Sequence, residues 1–273
     1  MCNNKVVIAT TFSTCCLLLA LNFNFSPQNF FENIFKFFGF QTEKRLNLPT
    51  QAKPKDTYTL VLVGDSMTHF LGDGTDMGGF LKNHYPNKEF SILNYGYGAT
   101  NILSIPDRLE IETKRGEEPL EPILNKDFDI IFLESMGNNP LSHLPLEEGL
   151  KKHDEVLDDF VKTVHSSKPE AVIIFVATIA PSKARYGEGV VALNDEQKKL
   201  WVEERVAYIK NHIKYAQKKK IPLINIYEKT LKDGDGNIDY LSGSDFIHPS
   251  PSGIILISQE LADFLFNNKV LPQ

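Results

Sequence analysis

Short apolar runs alternate with longer segments of helical period along most of the chain after residue 57. Within the runs, apolar residues follow one another without the polar alternation of a half-exposed strand, which is typical of parallel strands covered on both faces. The runs span residues 58–64, 90–95, 129–134, 171–178 and 221–227. Their spacing leaves room for a helical crossover between successive strands, so the pattern predicts a parallel sheet.

The segments between the runs carry the complementary helical pattern. In one of them apolar residues recur at intervals of three and four, at Val202, Val206, Ile209, Ile213 and Ala216. This spacing puts them on one face of a helix over about residues 195–219, and similar spacing predicts a helix over about 146–166. Start signals at residues 251 and 252 predict a last helix over about 252–266. The chain is therefore predicted to be an α/β protein, a three-layer α/β/α sandwich with a five-stranded parallel sheet.

Composition supports one globular domain of catalytic size and limits its partners. The chain has 273 residues, of which 42% are hydrophobic and 23% charged, with a formal net charge of -6. Nucleic-acid-binding proteins usually carry a clustered excess of basic residues, so nucleic acid is not expected as a partner. All the cysteines, Cys2, Cys15 and Cys16, lie in the first sixteen residues, so the rest of the chain has no disulfide and no thiol nucleophile. Composition leaves the oligomeric state open.

The N-terminal residues differ from the rest of the chain. Residues 6–21 contain no charge, and this run is longer than a minimal signal-peptide core and near the lower limit for crossing a bilayer. Two interpretations stay open: an uncleaved anchor that holds an extracytoplasmic catalytic domain at the membrane, and a cleaved signal peptide that releases a secreted protein. We divide the chain into an apolar anchor or signal segment 1–28, an aromatic segment and polar linker 29–57, and a folded domain 58–273.

Candidate chemistry lies where strands end, because ligands of open parallel sheets bind beyond the carboxyl ends of the strands. The first strand ends in Gly64-Asp65-Ser66-Met67, which puts a serine hydroxyl at a strand-to-helix turn, although such a serine can also be an ordinary helix cap. Near the C-terminus, Asp245 precedes His248 by three residues. The carboxylate can reach Nδ1 and leave Nε2 free to accept a proton from a serine. The alternative is a structural histidine beside a capping aspartate.

Two turns offer hydrogen-bond donors at the same edge. The second strand leads into a glycine-rich turn, residues 94–101, and the third is followed by Gly137-Asn138-Asn139-Pro140. Acyl transfer needs donors aimed at the oxyanion of the tetrahedral intermediate. The amide of Ser66 and groups in these two turns can supply them, although each turn taken alone is also compatible with a plain tight turn.

Taken in order, these four blocks resemble the SGNH/GDSL hydrolase family over roughly residues 58–268. The resemblance rests on Gly64-Asp65-Ser66-Met67, residues 94–100, Gly137-Asn138-Asn139 and Asp245-x-x-His248-Pro249. It implies a flavodoxin-like sheet, with Ser66 as the nucleophile, His248 as the base and Asp245 as the acid that orients it. It also implies an oxyanion hole formed by the Ser66 amide, the amide of Gly98 or Ala99, and the Asn139 side chain.

Three positions depart from the family pattern. Met67 stands where the family has leucine, a swap that conserves volume. Ala99 stands where the family usually has glycine, and its amide can still serve provided that the turn does not require a positive φ there. Pro140 stands where many members have aspartate or asparagine, which leaves Asn139 in place and changes its support.

The resulting hypothesis is a serine hydrolase of ester bonds, an esterase, lipase or deacetylase that works through a Ser-His-Asp triad and an acyl-enzyme, without metal or cofactor. The expected substrate is a small-molecule, glycan or lipid ester. The same residues also suit an O-acyltransferase that acts on a cell-surface glycan. The alternative from another class is a catalytically silent, anchored binding module.

Two other stretches bear on this hypothesis. The acyl and alcohol groups of the substrate cannot be read from the sequence, and loops near residues 102–125 and 180–194 are expected to shape the pocket that selects them. Residues 233–239 place oxygen-bearing side chains at alternate positions, as a calcium loop does, but the glycine and glutamate of that loop are missing. This stretch is therefore predicted to be a polar turn.

Overall fold

Five parallel strands form the centre of the part of the chain that the computed structural model describes, residues 46–272. They are β1 (Thr57–Gly64), β2 (Glu89–Gly96), β3 (Ile130–Glu134), β4 (Val172–Ala177) and β5 (Leu223–Asn225). Their order across the sheet is β2-β1-β3-β4-β5, and every neighbouring pair is parallel. This is the flavodoxin-like order, and it confirms the predicted sheet.

Seven α-helices of the described residues connect or flank these strands. They are α1 (Ser66–His69), α2 (Thr75–His84), α3 (Ile105–Glu110), α4 (Leu146–Ser167), α5 (Asp195–Lys219), α6 (Ile226–Lys229) and α7 (Pro251–Asn267). Short 3-10 turns lie at Ile102–Ser104, Ile123–Asn125 and Ile238–Tyr240. The three helices predicted from the sequence are confirmed. The bounds of α5 match the prediction because a capping box of Asn194 and Gln197 starts it and Lys220, in the left-handed conformation, ends it.

Alternate residues of the strands face two separate cores, which gives the three layers. Val61 and Val63 of β1 pack with α3 and α4 on one face, whereas Leu60 and Leu62 pack with α2 and α7 on the other. All five residues of β3 are buried, as expected for a strand covered on both faces. The predicted α/β/α sandwich is therefore confirmed for the described residues.

The folded unit begins upstream of the boundary predicted at Tyr58. The amide of Ala52 donates to the Val270 carbonyl at 2.8 Å, and Gln51 donates through Nε2 to the Lys269 carbonyl at 3.0 Å. The Ala52 side chain is buried in the core beside α7. The compact unit that contains these contacts starts at Leu48. The apolar segment 1–28 lies outside the described residues and stays a prediction. Among the helices of residues 46–272, none combines the length and apolar character needed to cross a membrane.

Two small hairpins form two-stranded sheets of their own, separate from the five-stranded sheet. Strands Thr113–Arg115 and Glu118–Leu120 lie in a region predicted to be loop, and strands Leu231–Lys232 and Asp235–Gly236 form the predicted polar turn. In the second hairpin the Asp235 carboxylate accepts hydrogen bonds from the Ser182 hydroxyl at 3.1 Å and the Lys183 amide at 2.7 Å. This carboxylate therefore anchors the segment that follows β4.

Candidate active site

Ser66 is the first residue of α1 and follows β1 at the carboxyl edge of the sheet. The preceding Asp65 caps the helix, because its Oδ1 accepts a hydrogen bond from the Met67 amide at 2.8 Å. Gly64 is required at this turn, since a Cβ there would lie 2.0 Å from Thr68 Oγ1. The Ser66 hydroxyl makes no hydrogen bond with any other described residue, so it is left available for another partner.

Asp245 and His248 meet in the segment before α7. Asp245 Oδ2 lies 2.8 Å from His248 Nδ1, while Oδ1 accepts hydrogen bonds from the amides of Ile247 at 2.8 Å and His248 at 3.0 Å. Partial burial acts to raise the pKa of Asp245, but the bonds from His248 and the two amides outweigh it and leave that pKa below its ordinary value. The carboxylate is therefore ionised at neutral pH and fixes the orientation of the imidazole.

An aromatic stack brings the imidazole to the helix that Ser66 begins. The rings of Phe70 and His248 lie 4.4 Å apart between centroids, with planes 17° apart. Phe70 caps the end of α1, and its amide donates to the Ser66 carbonyl at 3.0 Å. No direct hydrogen bond joins the Ser66 hydroxyl to His248, and such bonds are often longer in a ligand-free site than in the substrate complex.

Asn139 reaches the same place from the turn after β3. Its Nδ2 donates a hydrogen bond to Asp65 Oδ2 at 2.8 Å. Asp65 therefore supports the Asn139 side chain, even though proline follows it at position 140. Gly137, two residues earlier, allows this turn to approach α5, because a Cβ there would lie 2.4 Å from Ile209 Cγ1. The third block therefore lies beside the Ser66 turn.

The turn after β2 approaches the serine helix from the other side. A Cβ on Gly96 would lie 2.2 Å from the His69 amide nitrogen, so only glycine permits this contact. The amide of Tyr97 donates to the Gly64 carbonyl at 3.1 Å, which joins the ends of β2 and β1. Gly98 and Ala99 follow directly and are exposed.

Comparison with solved structures finds the same arrangement of strands and helices in ester-hydrolysing enzymes. A protein classed as a GDSL-like lipase from Parabacteroides merdae shares 16% identity at a TM-score of 0.56, covering 80% of this chain and 98% of that one. The Enterococcus faecalis lipase/acylhydrolase shares 17% identity at a TM-score of 0.51, covering 77% of this chain and 96% of that one. The acetylxylan esterase Axe2 of Geobacillus stearothermophilus shares 15% identity at a TM-score of 0.51, covering 76% of this chain and 94% of that one. The chain has the SGNH/GDSL hydrolase fold. No protein-family model and no curated protein matches the sequence.

Within this SGNH/GDSL fold, the residues predicted for the site come to one edge of the sheet. The structure joins Asp245 to His248 directly, and Asn139 to the residue before Ser66. Gly98 and Ala99 lie in the turn that hydrogen-bonds to the end of β1. Within residues 46–272 no group of three or more histidine, cysteine or acidic side chains is placed to hold a metal ion.

Ala99 occupies a conformation that the sequence did not reveal. Its φ is 55°, in the left-handed region, whereas Gly98 beside it has no positive φ. The condition set for the Ala99 amide, that the turn should not need a positive φ, is therefore not met. An L-residue in this conformation costs roughly 1–2 kcal/mol, which tertiary contacts must offset.

We expect Ala99→Gly to stabilise the fold by roughly 0.5–1 kcal/mol, since relief of the left-handed strain exceeds the entropy that glycine adds to the unfolded chain. Urea denaturation measures this change. Gly98→Ala is the matched control: a Cβ at Gly98 meets no atom within 4 Å and its φ is ordinary, so that variant should fold normally. A loss of stability in Ala99→Gly would contradict the left-handed assignment.

Arg108 is a site residue that the sequence analysis missed. It lies on α3 and is 1% exposed, and its guanidinium donates to the carbonyls of Gly64 at 2.6 Å and Tyr95 at 3.0 Å. It also donates to the hydroxyls of Thr100 and Ser104 and lies 4.2 Å from the centroid of the Tyr97 ring. The sequence did indicate that Arg108 is buried, because it shares a helix face with two apolar residues, Ile105 and Leu109, which are themselves buried.

The segment after β4 forms a wall beside the Asp245–His248 turn. The Arg185 guanidinium lies 4.0 Å from the centroid of the Phe246 ring, and a Cβ on Gly189 would lie 2.7 Å from the Ser244 carbonyl oxygen. Tyr186 is buried and accepts a hydrogen bond from Arg205 Nε at 2.5 Å. Burial raises the pKa of the Tyr186 phenol, so it stays protonated at neutral pH.

Proposed function

We propose that this protein is a serine hydrolase of esters in which Ser66 is the nucleophile, His248 the general base and Asp245 its orienting acid. The observation that carries this proposal is the contact chain from Asp245 Oδ2 to His248 Nδ1, at 2.8 Å, and from the imidazole through Phe70 to the helix that begins at Ser66. The carboxylate holds the proton on Nδ1 and thereby leaves Nε2 as the acceptor.

In the first half-reaction Ser66 Oγ bonds to the acyl carbon while its proton passes to His248 Nε2. The tetrahedral intermediate then collapses, the bond to the alcohol oxygen breaks, and His248 returns the proton to the leaving alcohol. In the second half-reaction water adds to the acyl-enzyme with the same proton transfers, which releases the carboxylic acid and restores Ser66.

The oxyanion is stabilised by donors from three turns of this edge. We assign the Ser66 amide, the amide of Gly98 or Ala99, and the second Nδ2 hydrogen of Asn139, whose first hydrogen is held by Asp65. A preorganised donor of this kind contributes about 10²- to 10³-fold to the rate of acyl transfer.

The fold neighbours and the site together support a substrate class. Solved structures with a similar fold are named as a lipase/acylhydrolase and as acetylxylan esterases. We therefore propose an oxygen ester of a sugar or lipid alcohol as the substrate. The segment 180–194 is proposed to select it, since the Arg185 guanidinium lies 4.0 Å from the centroid of the Phe246 ring, which stands between Asp245 and His248.

A fluorophosphonate probe tests this proposal directly, because it phosphonylates serines activated by a general base and spares ordinary hydroxyls. We expect stoichiometric labelling of the chain and a mass shift on the peptide that contains Ser66. The label should disappear in Ser66→Ala and in His248→Ala. Labelling at another serine, or none in the folded protein, would contradict the proposal and favour a silent binding module.

A further inference from the structure

A pair of buried acids lies directly behind Ser66. Asp65 is 0% exposed, and Glu134, the last residue of β3, is 6% exposed. Glu134 Oε1 accepts hydrogen bonds from the Ser135 hydroxyl at 2.7 Å and the Met136 amide at 2.8 Å. Its Oε2 accepts a long hydrogen bond from the Asp65 amide at 3.4 Å, which brings the two acids together. Two acids in contact, away from water, cannot both be ionised without a large energetic cost.

Asp65 is the member of the pair that serves the site. Its Oδ1 caps α1 by accepting from the Met67 amide, and its Oδ2 accepts from Asn139 Nδ2, each at 2.8 Å. The position of this one carboxylate therefore sets both the serine turn and the proposed oxyanion donor. Burial raises the pKa of Asp65, but burial together with the Asp65 charge raises the pKa of Glu134 well above its ordinary value, so Asp65 is the partner that ionises first.

Charge balance assigns the remaining proton to Glu134. Among the described residues, the buried cation that acts on both acids is Arg108. Its positive charge balances one carboxylate, so the cluster is neutral when one acid is ionised and the other is protonated. Burial first, and the Asp65 charge second, raise the pKa of Glu134 well above its ordinary value. His153 lies behind the pair, with Nε2 3.3 Å from the Ser135 carbonyl, and burial lowers its pKa to about 4, so it is neutral and adds no charge.

We propose that Glu134 is a positioning residue that acts as a neutral acid: it donates a hydrogen bond to Asp65 and so holds Asn139 in place as an oxyanion donor. This inference rests on the proposed ester hydrolysis. It adds a residue that touches neither the substrate nor the triad, and it assigns that residue a protonation state.

Substitutions of Glu134 by Gln and by Leu separate this role from a charged one. Gln keeps a donor toward Asp65 and an acceptor toward Met136 and Ser135, and gives up only the long 3.4 Å bond from the Asp65 amide, whereas Leu fills similar space with neither donor nor acceptor. We expect Glu134→Gln to keep kcat close to wild type. Glu134→Leu should lower kcat by about 10²-fold with little change in KM, because the loss falls on an oxyanion donor.

A double-mutant cycle with Asn139 distinguishes positioning from general loss of structure. If Glu134 acts through Asp65 on Asn139, then Glu134→Leu should have little further effect on kcat once Asn139 is replaced by Ala. Asp129→Asn is the matched control, because Asp129 precedes β3 at its other end and pairs with Lys55 at 2.6 Å, remote from Ser66. That variant should leave kcat unchanged.

Infrared spectroscopy detects a protonated carboxyl group directly and does not depend on a measurement of turnover. A carbonyl band of a protonated carboxyl group should be present in the wild type at neutral pH and absent in Glu134→Gln, with Asp129→Asn unchanged. This measurement decides the protonation state even if Glu134→Leu does not fold.

Three results would overturn the inference: loss of kcat in Glu134→Gln as large as in a donor deletion, additive effects of Glu134→Leu and Asn139→Ala, or no protonated carboxyl band. Failure of the proposed function is recognised separately, since wild-type protein would then show no ester turnover that depends on Ser66. The infrared result would still stand in that case and would report on the acid pair alone.

Discussion

Replacing Ser66 with alanine should lower kcat for a short chromogenic ester by about 10⁴- to 10⁶-fold, which is the loss expected when a covalent nucleophile is removed from a triad. The fold should remain intact, because the Ser66 hydroxyl makes no hydrogen bond within the described residues and the Asp65 cap on the Met67 amide survives. Steady-state kinetics and urea denaturation of the same preparation measure the two properties independently.

The controls for this prediction are specific. Ser91 lies exposed on β2, so Ser91→Ala should be silent in both measurements. His248→Ala should lose nearly as much activity as Ser66→Ala, and the double variant should lose no more than the larger single loss, because nucleophile and base act as a unit. Wild-type turnover in folded Ser66→Ala, or multiplied losses in the double variant, would rule out the proposed mechanism.

The largest effect on stability is expected for Arg108→Met. Methionine fills much of the same space but leaves the carbonyls of Gly64 and Tyr95 without the guanidinium and the buried Asp65–Glu134 pair without its cation. Removal of one partner from a buried charge cluster costs about 3–5 kcal/mol. This is a third or more of the 5–15 kcal/mol that typically separates a folded domain from its unfolded state.

Urea denaturation of Arg108→Met should therefore show a midpoint far below that of the wild type at an unchanged slope. Arg108→Lys should rescue only part of the loss, since an ammonium group cannot reach the four acceptors that the planar guanidinium spans. Arg115→Met on the nearby hairpin is the matched control. Arg115 pairs with a half-exposed Glu118 and donates one hydrogen bond to the Asn94 carbonyl at 2.8 Å, so its loss should cost about 1–2 kcal/mol. Equal losses in the two methionine variants would contradict the special role of Arg108.

Much of the fold was readable because it depends on local pattern. The apolar runs predicted the five strands to within a few residues, the spacing of three and four predicted α4 and α5, and start signals predicted α7. Only a strand-to-helix turn was expected at α1. The helices α2, α3 and α6 were not predicted: α3 and α6 are too short to show periodicity, and α2 contains two adjacent glycines, which disfavour a helix. The start of the domain was placed at Tyr58 because residues 41–57 are polar in composition, and the burial of one small residue, Ala52, is not visible in such a stretch.

Local sequence was enough to identify the residues of the candidate site that carry reactive groups. Asp245 and His248 are three residues apart, so their contact is a property of one turn of chain, and Ser66 follows a strand whose end is marked by its own apolar run. The support of these groups comes from contacts between distant parts of the chain. Phe70 reaches His248, Asn139 reaches Asp65, and Arg108 reaches Gly64 across long stretches of chain. These contacts are not readable from local sequence, because desolvation, stacking and the protonation of Glu134 depend on which groups are buried together.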